Sequence, residues 1–268
     1  MKKGKGRLLN SSLSELVTRF SQENIVAEIE KRYQSAPAKL IPIAQIDDNA
    51  FVESVTLPEE TTEYFAERLK EKGFYTPLVV RTKEDGRYEI ILGRKRFYGA
   101  RKAGIHSLPC AFAEVEDEET LLMLLADTRD QREANVVEMA LVCKALQDKF
   151  DYNQQTLAEL SHQSRCQISN ILRILKLPKE LQQAICLGKL SYGHGRALAS
   201  LPEQEALRLG RRILHEGLSV REVETIAKHM RGDEEESKPY SLRIEDNQLH
   251  ITFSSAEDLE RFIAEKNL

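Results

Sequence analysis

The strongest constraint on the fold is a pair of short helical patterns joined by a polar turn in residues 152–178. The first pattern spans residues 154–161, the turn is His162-Gln163-Ser164, and the second pattern occupies residues 165–177. Apolar side chains of the second pattern follow i, i+3, i+4, i+7 spacing and define one buried side: Ile168, Ile171, Leu172 and Leu175. Two short helices joined by a tight turn are typical of a helix-turn-helix.

The opposite side of the second helix carries side chains suited to nucleic acid. Asn and Gln can pair with adenine through two hydrogen bonds, and Arg can pair with guanine in the same way. We expect these residues, with one from a later helix, to lie near bases: Gln167, Ser169, Asn170, Arg173 and Arg196. Thr156, Ser164 and Arg165 are expected at the phosphate backbone, where helix N-termini would meet it. The alternative is a solvated amphipathic helix within a bundle.

Charge is segregated along the chain, which has a net charge of −4. Residues 144–232 contain 14 basic and 9 acidic residues, a net charge of +5, whereas residues 41–143 carry −7 and residues 233–268 carry −6. A basic block inside an acidic chain favours a nucleic-acid partner. All but the last two residues of this block fall within the helical domain expected over residues 118–230.

Other classes of protein are disfavoured by composition. No apolar run approaches the ~18 residues of a membrane span, and no apolar stretch follows the basic N-terminus as in a secretory signal. The four cysteines are scattered, so neither a disulfide framework nor a zinc site is indicated. A cytoplasmic location is therefore expected.

The remaining segments divide the chain further. Residues 1–39 are expected to form a basic arm, because their short helical pattern offers too little apolar material for a core. Residues 40–117 read as an α+β domain, with a hairpin over residues 77–92 whose loop contains Asp85-Gly86. Residues 231–239 form an acidic linker. Residues 240–268 read as a small ββα unit that is too small to be stable alone, so we expect it to dimerise.

A second candidate site is Gly93-Arg94-Lys95-Arg96, at a strand-to-helix junction. Glycine allows close backbone approach, and a helix start with three cations favours an anion such as a di- or triphosphate. The alternative is a solvated basic patch or a non-specific DNA contact. Asp127, Asp130 and Glu133 form an acidic run that could hold Mg²⁺ against a phosphate, or could simply be solvated.

At these motifs the sequence resembles the ParB family of chromosome- and plasmid-partitioning proteins. Four stretches carry the resemblance, which covers roughly residues 40–268: TPLVVR at 76–81, GRKRFYGA at 93–100, ISNILRILKLP at 168–178 and GKLSYGHGRAL at 188–198. The pair of segments from 168 to 198 is specific to the family. The departures lie elsewhere: Arg94 and Tyr98 stand where the family has Glu and Arg, and the family's third box is replaced here by Thr128-Arg129-Asp130-Gln131-Arg132.

The resemblance implies a mechanism. Family members are nucleoid-associated homodimers that bind a palindromic, centromere-like duplex, and CTP with Mg²⁺ in the N-terminal domain closes them into a sliding clamp. A basic N-terminal peptide stimulates a ParA-type ATPase, a role that falls here to Lys2, Lys3, Lys5 and Arg7. The implied nucleotide contacts are Thr76, Pro77, Gly93, Arg94, Lys95, Arg96, Gln131 and Arg132.

Several alternatives remain open. The altered boxes suit either a DNA-binding paralogue with a degenerate clamp or a protein that binds nucleotide through altered ligands, so CTP hydrolysis is undecided. A helix-turn-helix transcriptional repressor without nucleotide switching is a further reading. The last is a phosphoryl-transfer enzyme that uses the N-terminal fold.

Overall fold

The fold is taken from a computed structural model, which describes residues 10–22, 25–34, 37–74, 76–130, 135–231, 240–245, 248–253 and 255–266. Across these residues, no helix has both the length and the apolar character needed to cross a lipid bilayer. The described helices are α1 (Asn10–Phe20), α2 (Ile25–Gln34), α3 (Glu59–Lys72), α4 (Arg94–Lys102), α5 (Asp117–Asp130), α6 (Val136–Phe150), α7 (Gln154–Ser161), α8 (Arg165–Arg173), α9 (Lys179–Cys186), α10 (Tyr192–Leu198), α11 (Glu203–Glu216), α12 (Val220–Met230) and α13 (Ala256–Lys266). The strands are β1 (Lys39–Pro42), β2 (Ile46–Asp47), β3 (Leu78–Thr82), β4 (Tyr88–Leu92), β5 (Ser107–Phe112), β6 (Tyr240–Glu245) and β7 (Gln248–Phe253).

The N-terminal half contains a mixed sheet of five strands in the order β1-β5-β3-β4-β2. Strands β3 and β4 pair antiparallel as the predicted hairpin, which is confirmed. Strand β5 pairs parallel with β3 and antiparallel with β1. Helices α3 and α4 pack on one side of this sheet, where Leu69 and Phe97 are buried against Leu78 and Ile90.

Helix α5 connects the sheet to the helical domain. Six consecutive side chains of this helix are buried, which is the pattern of a helix covered on every side: Leu121, Leu122, Met123, Leu124, Leu125 and Ala126. They share one apolar core with Ile91 of the sheet and Leu146 of α6. The expected boundary between residues 117 and 118 therefore cuts a continuous core.

The expectation that residues 1–39 form a separate arm is wrong for the helical part of this segment. Phe20, Ile25 and Ile29 are all at most 5% exposed and belong to the same core as α5 and α7. The arm was expected because this stripe is too small to form a core of its own. The stripe instead joins a core built by later elements, a contact that local periodicity cannot reveal.

The helical domain comprises α6 to α12. Helix α7 spans the predicted residues 154–161, whereas α8 ends at Arg173, four residues before the end of its predicted pattern. Side chains cap several helix starts by accepting backbone N–H hydrogen bonds, as Asn and Ser do well: Asn135, Asn153, Ser164, Ser191 and Ser219. The prediction of a helical central region is confirmed for the residues that the structure describes.

The C-terminal unit has the predicted order of two strands and a helix. Strands β6 and β7 pair antiparallel from Tyr240↔Phe253 to Glu245↔Gln248. The rings of Phe253 and Phe262 lie 5.2 Å apart, edge to face, and join α13 to the hairpin. Leu259 and Ile263 are exposed on α13.

Candidate nucleic-acid interface

The turn between α7 and α8 is built by local hydrogen bonds. Asn153 caps α7 by accepting the N–H of Thr156 at 2.9 Å, and the Thr156 hydroxyl donates to the same oxygen at 3.3 Å. His162 ends α7 in the left-handed conformation, with φ of 53°. Ser164 then caps the start of α8, and both capping residues, Asn153 and Ser164, are exposed to solvent.

A capping box at the start of α8 involves Gln167, which is also expected to contact a base. The Ser164 N–H donates to Gln167 Oε1 at 2.7 Å, and the Gln167 N–H donates to Ser164 Oγ at 3.1 Å. This reciprocal arrangement stabilises the first helical turn. The Gln167 oxygen has a second lone pair and its amide nitrogen is a donor, so its contact with a base stays a prediction. Helical spacing places Gln167 on the side of α8 that is expected to face bases. The pattern S-x-x-Q at residues 164–167 is typical of a capping box.

Helix α8 is oriented as its periodicity predicts. Ile168 is fully buried and Ile171 is 5% exposed, whereas Arg165 and Cys166 are exposed on the other side. Asn170 is half-buried, and its amide nitrogen lies 3.9 Å from Cys166 Sγ, a distance too long for a strong constraint. The Asn170 amide is thus available to an incoming ligand.

The two predicted arginines beside α8 are held by neighbouring groups. Arg173 is half-buried and donates from Nη2 to the Ala199 carbonyl at 3.1 Å, at the end of α10. Arg196 of α10 forms an ion pair with Glu224 of α12. Each guanidinium has five N–H donors, so both retain donors for a second partner.

These residues share one surface that we call the basic cleft, a concavity of about 580 Å³ between α8, α10 and α12. Its lining residues are Asn170, Arg173, Arg196, Ala197, Ser200, Arg221, Glu224, Thr225, Ala227, Lys228 and Arg231. The sequence analysis missed the wall formed by α12. The spacing of Arg221, Thr225 and Lys228, at i, i+4 and i+7, marks one face of that helix. Nothing local indicated that this face lies opposite α8.

A second concavity, the α4 pocket, lies at the predicted strand-to-helix junction and has a volume of about 210 Å³. Its lining residues are Leu57, Phe65, Gly93, Arg94, Lys95, Arg96, Asp127 and Glu138. Gly93 precedes the first turn of α4 with φ of 98°, and a Cβ there would lie 2.6 Å from Leu78 Cδ2. Only glycine fits, which leaves the backbone N–H groups at the start of α4 open to an anion.

Arg94 differs from its expected role as a free phosphate ligand. It is 7% exposed, its Nε donates to both Asp48 carboxylate oxygens at 2.8 and 2.9 Å, and its Nη2 donates to the Val55 carbonyl at 2.6 Å. Tyr98 donates to the same Asp48 carboxylate at 2.6 Å. Two positions where the sequence departs from the family pattern therefore share one buried carboxylate. Arg94 Nη1 is buried without a hydrogen-bond partner among the described residues and borders the pocket.

The other predicted nucleotide residues are partly brought together. Arg96 Nη1 donates to the carbonyl of Thr76 at 2.7 Å and lies 3.3 Å from that of Pro77, so it holds the loop before β3. Lys95 lines the pocket. Gln131 and Arg132 lie outside the described residues, as do the four basic residues predicted to contact an ATPase, Lys2, Lys3, Lys5 and Arg7.

The N–H donors that border the α4 pocket suit a phosphate. Arg94 Nη1, which makes no hydrogen bond within the described residues and lies 3.9 Å from Glu138 Oε2, and the open start of α4 both present N–H donors to an anion. Burial raises the pKa of Glu138 to about 7, against the opposing effect of the Arg94 guanidinium and with a small contribution from Asp127. Within the described residues, no three His, Cys, Asp or Glu side chains converge on a metal position. Of the acidic run expected to hold Mg²⁺, Glu133 lies outside the described residues, so that expectation stays a prediction.

Comparison with known proteins gives a consistent result. Residues 27–129 match the ParB N-terminal domain, and residues 132–232 match the ParB HTH domain. A probable chromosome-partitioning protein ParB from Pseudomonas putida is 31% identical over 242 residues, which are 89% of this chain and 82% of that protein. ParB from Caulobacter vibrioides is 32% identical over 212 residues, 76% of this chain and 69% of that protein.

Solved structures with similar sequences come from Caulobacter crescentus. C-terminally truncated ParB complexed to the centromeric parS site is 31% identical, with a TM-score of 0.42, over 71% of this chain and 99% of that one. ParB complexed with CTP-gamma-S is 30% identical, with a TM-score of 0.34, over 67% and 99%. By the sequence matches to full-length relatives, the chain belongs to the ParB family of chromosome-partitioning proteins.

Proposed function

We propose that the chain is a sequence-specific DNA-binding protein that acts in chromosome or plasmid segregation by binding a palindromic, centromere-like duplex. The observation that carries the proposal is the basic cleft, in which five cationic side chains and the outward side of α8 border one concavity. Cations supply affinity for phosphates, and amide and guanidinium groups supply selectivity for bases. Both kinds of group are present here on adjoining helices.

The dimensions of the recognition elements suit the major groove. An α-helix with its side chains is about 10–12 Å across, close to the ~12 Å width of that groove. Asn170 lies on the outward side of α8, and Arg165 lies at its start, where phosphates would pass. In this arrangement Asn170 contacts a base edge, Arg165 contacts the backbone, and α12 contacts the flanking phosphates.

A palindromic site requires two copies of the helix-turn-helix, one for each half-site. The C-terminal ββα unit supports dimerisation, because Leu259 and Ile263 are 41% and 40% exposed on its helix. An exposed apolar face on a unit of this size is stabilised when a second copy covers it. The proposed assembly is therefore a homodimer joined by its C-terminal units, with two helix-turn-helix units on one duplex.

The second part of the proposal is that the chain binds a nucleotide at the start of α4. The family resemblance suggests CTP, and the donors at the start of α4 support a ligand with phosphate groups. Arg94 Nη1 and the backbone N–H groups after Gly93 would bind the phosphates. CTP binding would regulate clamp closure around DNA. The basic N-terminal residues would contact a ParA-type ATPase, and the protein would act at the nucleoid in the cytoplasm.

Two titrations of the full chain test the proposal. In the first, fluorescence anisotropy compares the parS duplex with a scrambled duplex of the same length and composition. We expect at least a thousandfold tighter binding to parS at physiological salt, the lower end of the range for specific binding proteins. Equal binding to both duplexes would contradict sequence-specific recognition.

The second titration is calorimetric and uses CTP and ATP in parallel, each with and without the parS duplex. Binding of CTP alone supports a nucleotide-regulated clamp. Binding of ATP in preference to CTP contradicts it and favours a phosphoryl-transfer enzyme. Absence of heat with either nucleotide, alongside parS binding, contradicts the clamp and favours a repressor.

A further inference from the structure

One acidic side chain lines the basic cleft among its described residues. Glu224 lies on α12, where Arg221 is one turn before it and Lys228 is one turn after it. Both neighbours are at helical positions that often pair with a carboxylate. The Glu224 carboxylate instead crosses to α10 and forms its ion pair with Arg196.

Stability of the fold does not account for this pair. The side chains of Arg196 and Glu224 are 47% and 37% exposed, and ion pairs so exposed contribute little to stability. Helix α12 is held by other groups, since Val223 and Ala227 are buried and a capping box joins Ser219 to Glu222. The placement of Glu224 therefore calls for a different physical reason.

The pair has a direct consequence for DNA recognition. A carboxylate that faces DNA repels phosphates, so Glu224 lowers the affinity of the cleft for any duplex. An unrestrained arginine in such a cleft would contact the nearest phosphate, and phosphate contacts carry no sequence information. A guanidinium whose Nη2 is held by a carboxylate has less freedom to turn toward phosphates, and its other N–H donors lie in one plane, which suits guanine.

We propose that Glu224 is a positioning residue for specificity, which holds the Arg196 guanidinium so that its remaining donors face base edges rather than phosphates. The proposal rests on the DNA-binding function proposed above. By this proposal, Glu224 lowers the affinity of the basic cleft for any duplex and raises its discrimination between sequences. The quantity that tests it is the ratio of the dissociation constants for scrambled and parS duplexes.

The experiment measures both dissociation constants by fluorescence anisotropy for the full-length wild-type chain, Glu224→Ala, Arg196→Ala and the double variant. Glu180→Ala is the matched control, because Glu180 pairs with Arg211 at 2.9 Å on an exposed surface that does not line the cleft. We expect Glu224→Ala to bind scrambled DNA more tightly and to lower the ratio about tenfold, the effect of losing one base contact. Glu180→Ala should leave the ratio unchanged.

The double variant shows whether Glu224 acts through Arg196. Arg196→Ala should lower the ratio about as much as Glu224→Ala does, and the second substitution should lower it no further. Glu224→Gln retains an acceptor for Arg196 and should restore most of the ratio. It also provides a folded comparison if the alanine variant does not fold.

Three outcomes would overturn the proposal. They are an unchanged ratio in Glu224→Ala, a further fall of the ratio in the Arg196→Ala background, and a ratio in Glu224→Gln no higher than in the alanine variant. If the wild-type chain itself binds both duplexes equally, the proposed DNA-binding function fails, and this inference fails with it. Discrimination by the wild-type chain together with an unchanged ratio in Glu224→Ala would refute the inference alone.

Discussion

The basic cleft and the α4 pocket use cationic side chains in opposite ways. In the cleft, Arg221 and Lys228 are exposed, and neither forms an ion pair within the described part of the chain. In the α4 pocket, Arg94 is buried and bonded to Asp48 and to a backbone carbonyl. The difference teaches that an arginine in a basic motif takes on a structural role where a largely buried carboxylate lies within reach, which leaves Arg94 only its Nη1 for a ligand.

Removal of the buried pair should have the largest effect. Arg94→Ala leaves Asp48 buried without its cation, and such losses cost about 3–5 kcal/mol of unfolding free energy. Urea denaturation at pH 7 measures this cost. Lys95→Ala, one residue along, is the control and should lie within about 0.5 kcal/mol of the wild-type chain. A loss below about 1 kcal/mol in Arg94→Ala would show that the pocket arginine is not structural.

The pH dependence of the unfolding free energy is a second test of burial at the α4 pocket. Burial raises the pKa of Glu138 from 4.5 to about 7, so the folded state favours its protonated form. The resulting stabilisation is full below pH 4.5 and is lost as the pH rises through 7, by at most about 3 kcal/mol. Glu138→Gln should remove this loss, so its unfolding free energy should change less than that of the wild-type chain between pH 5 and 8. Equal pH profiles for the two proteins would contradict the assigned burial.

Loss of the capping box at the start of α8 should lower the stability of the fold by a smaller amount. Ser164→Ala removes the acceptor for the Gln167 N–H and frees the Gln167 side chain, at a cost of about 1 kcal/mol. Thermal unfolding followed by circular dichroism measures the change. Ser200→Ala, which also removes a hydroxyl from this region but caps no helix start, is the comparison. A melting temperature unchanged from wild type would show that α8 does not depend on its cap.

The smallest expected effect is that of a single cation on α12. Lys228→Ala should weaken binding to parS and scrambled duplexes equally and reduce the slope of log K against log[salt] by about one. Anisotropy titrations at four salt concentrations measure the slope. Lys189→Ala, on a basic residue that does not line the cleft, is the control. Identical slopes for all three proteins would contradict the proposal that α12 contacts DNA phosphates.

Much of the local structure could be predicted from the sequence. The start of α3 at Glu59, its end before Gly73 and the extent of β4 all follow from acidic residues, glycine and β-branched runs whose effects are local. The outward side of α8 follows from four apolar residues at helical spacing. These features required no knowledge of distant partners.

What could not be predicted depends on contacts between distant segments. Asp48 and Arg94 are 46 residues apart, and nothing near either one indicates the other. The placement of Phe20 in the core depends on α5 and α7, and the α12 wall depends on how three helices pack. A sequence pattern reports which face is apolar or charged, but not what that face meets.

The central claim is that bases are read by the outward side of α8 and not by the basic motif at α4. Anisotropy titration of Asn170→Ala and Lys95→Ala against parS and scrambled duplexes, without nucleotide, tests it most directly. Asn170→Ala should lose about 1–3 kcal/mol of binding free energy for parS and none for the scrambled duplex, whereas Lys95→Ala should retain both affinities. Full discrimination by Asn170→Ala, or an equal loss in Lys95→Ala, would contradict the claim.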